Sequence, residues 1–192
     1  SSKYLSPDFL EDKVKIVGLG DPHAGNVLVL EDGSYVNIDY EFGGIHHPSL
    51  ELSKTLYNDI YPDILFSEDW GTNEDIEMKI EFEDGELIIN HNYEVSDLGK
   101  SLVSIKVKGV LEPLLLLAIN KKINVNDWEK TLKSALFACA ILNKNILKYS
   151  EKNFILAYSL AVGLGSINKR YVNNQVHHDK GPEYFNVILE NT

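Results

Sequence analysis

Apolar and β-branched residues form two short runs, 26–30 and 35–39, on either side of Glu31-Asp32-Gly33-Ser34. Asp-Gly between such runs predicts a tight hairpin, because Gly accepts the positive φ of the turn. A second pattern covers residues 76–93, where Met78, Ile80 and Phe82 alternate with Lys79, Glu81 and Glu83. Asp84-Gly85 marks its turn, and Leu87, Ile89 and His91 continue the apolar face, so a second hairpin is predicted. The acidic residues Glu81, Glu83, Asp84 and Glu86 then form its wet side. Val14–Leu19 reads as a strand or loop lining, and Leu102–Val107 as a third strand of the insertion.

Elsewhere the spacing is helical. Leu50, Leu52, Leu56 and Tyr57 predict a short helix over 48–57, followed by a polar connection holding Pro62, Asp69 and Gly71. The apolar run Val110–Ile119 predicts a helix that begins near Pro113. Asn126 with Glu129 reads as a capping pair for a helix reaching about Tyr149. Ser150 caps a further helix that Gly165 stops after about Leu164. The first dozen residues read as a polar lead-in, and the tail from Val172 as loop until Tyr184-Phe185.

Composition narrows the classes. The chain has 192 residues and a net charge of -11, and Arg170 is its one arginine, which argues against nucleic acid as a partner. An acidic surface favours a cationic small-molecule partner over an anionic one. No stretch reaches the roughly 18 apolar residues of a membrane span, and no leader pattern opens the chain, so a cytoplasmic protein without membrane contact is expected. The single cysteine, Cys139, lies in an apolar run and reads as a small hydrophobe.

The chemistry concentrates in Gly20-Asp21-Pro22-His23-Ala24-Gly25-Asn26 and, across the first hairpin, in Ile38-Asp39-Tyr40-Glu41. Phosphoryl transfer to an alcohol needs a group that orients the hydroxyl and accepts its proton. It also needs hard oxygen ligands for the nucleotide's magnesium. Asp21 suits the first task, and Asn26 and Asp39, brought side by side by the hairpin, suit the second. His46-His47 and His177-His178 are adjacent pairs that cannot easily face one ion, and they read as solvated loop residues.

The pattern G-D-x-H-x-x-N, an Asp-Gly hairpin, then I-D-(aromatic)-E resembles the core signature of the aminoglycoside phosphotransferase and choline kinase superfamily. Asp21 to Asn26 spans five residues and Asn26 to Asp39 thirteen, as in that signature. The resemblance implies Asp21 as the catalytic aspartate and His23 as the loop-shaping histidine, with Asn26 and Asp39 holding Mg²⁺ and so ATP. Glu41 is a candidate for supporting the metal shell or the substrate. Pro48-Ser-Leu-Glu-Leu-Ser is similar to the family's P-x-x-D-L-A, with Glu51 where Asp is usual.

The resemblance covers about residues 17–57 and departs in two places. Leu19 stands where the family has its first histidine. Twenty residues precede Asp21, too few for the glycine-rich strands and strand lysine of an ATP-binding lobe, which is expected to be absent or supplied by a separate chain.

The implied fold is α+β: a mainly helical C-terminal lobe of a protein-kinase-like fold, with a catalytic β-hairpin and a second, inserted β-hairpin. It forms one domain over 1–192, with the catalytic loop and hairpin in 17–57, the β insertion at about 74–108 and the helical part in 110–168. The implied activity is transfer of the γ-phosphoryl group of ATP to a hydroxyl on a small molecule. The alternatives are a non-catalytic kinase-like binding domain and a metallophosphoesterase, which the strand-then-D-x-H-x-G-N opening also evokes.

Overall fold

The computed structural model describes residues 2–11, 13–60, 76–142, 150–165, 169–172 and 175–178. The fold is mixed α+β: packed helices with small antiparallel two-stranded sheets at their margins. A 3₁₀ turn at Ser2–Leu5 and the short helix α1 (Pro7–Leu10) open the chain. Here the polar lead-in departs from expectation. The Ser6 side chain caps α1 by accepting the Phe9 amide, Tyr4 and Phe9 meet edge to face, and the 3₁₀ turn packs on the helix at Trp128–Leu142.

Strand β1 (Ile16–Gly18) pairs antiparallel with β4 (Gly44–His46). Between them lies the predicted hairpin, β2 (Val27–Val29) with β3 (Tyr35–Asn37), in the register Val27 to Asn37 and Val29 to Tyr35. Gly33 takes φ +81 at its turn, the conformation that the Asp-Gly signal requires. Helix α2 (Pro48–Ile60) follows, three residues longer than the spacing predicts. Leu52, Leu56, Tyr57 and Ile60 are buried at helical spacing, and α2 packs mainly on α5 (Trp128–Leu142) and α3 (Asp97–Lys106).

The second hairpin forms as predicted, from β5 (Met78–Glu83) and β6 (Glu86–His91) around Asp84-Gly85. Its apolar face is only partly covered. Met78 packs against the core, whereas Phe82 at 75% and Leu87 at 55% remain exposed. The hairpin reaches past the helices, so the alternation fixes pairing without burying the tip.

The predicted third strand is instead α3, a correction with a clear physical cause. Val103 and Val107 are buried four residues apart, the helical repeat, and Ser96 caps the helix by accepting the Gly99 amide. Packing on α2 overrides the β-branched preference of 102–107. A π turn at Val107–Leu111 then leads directly into α4 (Glu112–Asn120), which begins beside Pro113 as the sequence predicts. The Glu112 amide bonds the Val107 carbonyl five residues back, and the widened turn accommodates a proline that cannot donate in its own turn.

Helix α5 starts two residues beyond the proposed cap: Asp127, not Asn126, accepts the first helical hydrogen bond, from Thr131. The extension of α5 towards Tyr149 and the polar connection at 61–75 lie outside the described residues. Helix α6 (Glu151–Gly165) agrees with its prediction, with the Asn153 amide on Ser150 Oγ at 3.3 Å. Part of the tail read as loop is paired, β7 (Lys169–Val172) with β8 (Gln175–His178). Leu56, Val103, Leu136 and Leu156 are each at most 1% exposed and mark where α2, α3, α5 and α6 meet. Cys139 is half-buried, with its thiol 3.5 Å from Ser53 Oγ. Among the described residues no helix is long and apolar enough to cross a membrane.

Candidate functional site

The loop from Leu19 to Asn26 leaves β1 and enters β2, and the start of α2 holds it from below. Gly20 takes φ +83 and abuts the main chain of Phe42, so a side chain there meets both strain and a steric clash. Glu51, in the first turn of α2, accepts the Leu19 amide at 2.6 Å on Oε1 and the Gly20 amide at 3.0 Å on Oε2. His46 Nε2 lies 2.5 Å from Glu51 Oε2. A Cβ on Gly18 would come within 2.6 Å of the same carboxylate oxygen, so the clamp is closely fitted. Glu51, with His46 against it, thus fixes the main chain of Leu19 and Gly20.

Beyond the clamp the loop ties itself together. Asp21 accepts at its main-chain carbonyl from the His23 amide at 2.9 Å and from Asn26 Nδ2 at 3.0 Å. His23 Nδ1 accepts the Gly25 amide at 3.1 Å, which fixes its tautomer with the proton on Nε2, 3.6 Å from Asp21 Oδ2. His23 therefore caps the 3₁₀ turn Ala24–Asn26 and shapes the loop.

Asn26 is the joint between loop and hairpin. Its side-chain amide reaches Asp21, while its carbonyl accepts the Ile38 amide at 2.9 Å, one residue before Asp39. With Nδ2 turned to the Asp21 carbonyl, the hard acceptor Oδ1 is the end of the amide directed away from it. Asp39 leaves the strand with φ +60, a left-handed conformation that Asp tolerates better than most residues. That backbone reversal breaks the pleat, so strand alternation no longer dictates the side on which its exposed carboxylate lies. Glu41 sits on the exposed turn leading to β4, outside these contacts.

Lys54 carries a contact that the sequence reading missed. Its Nζ lies 2.6 Å from Asp21 Oδ1, with side-chain exposures of 27% and 14%. Asp21 Oδ1 is buried and accepts no hydrogen bond, so this is a charge contact without aligned donor geometry. Glu51 and Lys54 stand three apart in α2 and so share a helix face, a spacing readable in sequence. The two adjacent histidines part ways, but neither is the solvated loop residue expected. His46 turns to Glu51; His47, 5% exposed, accepts the Ser49 amide on Nδ1. Burial, with a smaller contribution from Lys13, lowers the His47 pKa to about 4.

An open cleft of about 570 Å³ adjoins the loop. Its wall comes from β1, Leu19, Tyr40, Gly43-Gly44 and Glu51, not from Asp21, Asn26 or Asp39. Among the described residues no three His, Cys, Asp or Glu side chains gather as a metal cluster. Amide oxygens stand outside that count. Magnesium is commonly held by one or two protein oxygens together with phosphate oxygens, and Asn26 Oδ1 and the Asp39 carboxylate are donors of that kind. No protein-family model matches the chain, and no curated protein or solved structure matches it either.

Proposed function

We propose that this chain is the catalytic lobe of a protein-kinase-like phosphotransferase, which moves the γ-phosphoryl group of ATP to a hydroxyl on a small molecule. The observation that carries the reading is the double engagement of Asn26, with its amide on Asp21 and its carbonyl on the residue before Asp39. One residue thereby ties the main chain of Asp21 to the strand end that leads into Asp39.

Asp21 orients the acceptor hydroxyl and takes its proton. Asn26 Oδ1 and Asp39 are the ligands offered to Mg²⁺, which when bound neutralises charge on the phosphates. Exposed apolar side chains beside the site, among them Leu28, Tyr40 and Phe42, provide a surface for the nucleotide base or a covering lobe.

The test is calorimetric titration with ATP, with Mg²⁺ and with chelator. Binding that needs Mg²⁺ and disappears in Asp39→Ala, with the fold intact by circular dichroism, is the expected result. Failure of the wild-type chain to bind nucleotide in a Mg²⁺-dependent way would overturn the proposal in favour of a non-catalytic scaffold.

A further inference from the structure

Resting on the phosphotransfer reading, we infer that Lys54 is a catalytic residue of that reaction, the cation that contacts the phosphoryl group in flight. One turn of α2 performs two tasks: Glu51 fixes the main chain of Leu19 and Gly20, and Lys54 reaches the carboxylate of the next residue at 2.6 Å. The ammonium is thus positioned by the same helix that positions the base. An exposed ion pair contributes little to stability. This one is partly buried and engages a carboxylate oxygen that has no hydrogen bond.

The chemistry places the cation's work. The acceptor O–H bond breaks as its proton passes to Asp21, and the freed oxygen bonds to the γ-phosphorus of the nucleoside triphosphate. The bond from that phosphorus to the β–γ bridging oxygen breaks, leaving nucleoside diphosphate, and Asp21 returns its proton to water. The hydroxyl must lie within hydrogen-bond reach of Asp21, so the phosphorus that it attacks is one bond further on. An ammonium already touching Asp21 lies within a side-chain rotation of the non-bridging oxygens, where negative charge spreads in the transition state. Lys54 donates a hydrogen bond to one of them. A compact ammonium on a flexible stem suits this move from carboxylate to phosphoryl oxygen.

The experiment measures phosphate release from Mg·ATP with water as acceptor, and Mg·ADP binding, in wild type, Lys54→Met, Lys54→Arg and Asp21→Asn. Loss of one aimed donor is expected to lower turnover about 100-fold in Lys54→Met while Mg·ADP binding is unchanged. Lys54→Arg, which keeps the charge and guards against a folding defect in the Met variant, is expected within about tenfold of wild type. If Lys54→Met turns over like wild type while Asp21→Asn is dead, Lys54 is not catalytic and the phosphotransfer reading survives. If Lys54→Met loses nucleotide binding together with turnover, Lys54 is holding the loop and the inference fails. A wild-type chain that neither binds Mg·ADP nor releases phosphate overturns both readings at once.

Discussion

Replacing Glu51 with Ala tests the clamp on which the site's geometry depends. The carboxylate accepts two main-chain amides, from Leu19 at 2.6 Å and Gly20 at 3.0 Å, and is 13% exposed. Hydrogen bonds to a charged group contribute about 1.5–3 kcal/mol each, and partial access to water favours the lower end. The expected loss is about 3 kcal/mol, against a total stability of roughly 5–15 kcal/mol for a domain. The protein should therefore stay folded with its loop released. In hydrogen exchange, 3 kcal/mol corresponds to about a hundredfold faster opening at the Leu19 and Gly20 amides. Glu51→Gln keeps an acceptor but loses the charge, so about half that effect is expected. The assay is urea unfolding together with amide exchange followed by NMR. Unchanged exchange at Leu19 and Gly20 in Glu51→Ala, with stability within about 0.5 kcal/mol of wild type, would refute the clamp.

Two further predictions concern buried charge. His47 titrates near 6.5 when unfolded but only at about 4 when folded, so the unfolded state takes up a proton first as pH falls. Stability from this group is thus complete above 6.5 and declines by about 3 kcal/mol as pH drops to about 4. His47→Asn, which keeps an acceptor for the Ser49 amide, should flatten that part of the denaturation profile; parallel wild-type and variant curves would refute it. Asp59, whose carboxyl pKa is raised by burial against the opposing pull of Lys106 Nζ at 2.5 Å, joins α2 to α3. Lys106→Met should cost about 3 kcal/mol by leaving that carboxylate unpaired. The loss should shrink on acidification, because the folded carboxyl gains its proton above the usual pH. The double variant with Asp59→Leu should recover most of it, and a double variant no more stable than the single would contradict the assignment.

The local signals that were legible in the sequence share one property: their cause lies within a few residues. Asp32-Gly33 and Asp84-Gly85 set their hairpins because turn conformation is a property of the turn residues themselves. Ser150 and Gly165 bound α6 for the same reason.

What tertiary structure decided depends on partners distant in the chain. Residues 102–107 carry strand-forming side chains, yet Val103 and Val107 bury one helical repeat against α2, and packing outweighs intrinsic preference. Lys54 reads as an ordinary helix-surface charge until the fold carries α2 beneath a loop some thirty residues earlier. The sequence by itself determined which chemical groups this protein has and which short turns present them. Only folding determined which of them meet, because contact between segments distant in sequence follows from burial of the helices and not from any local pattern.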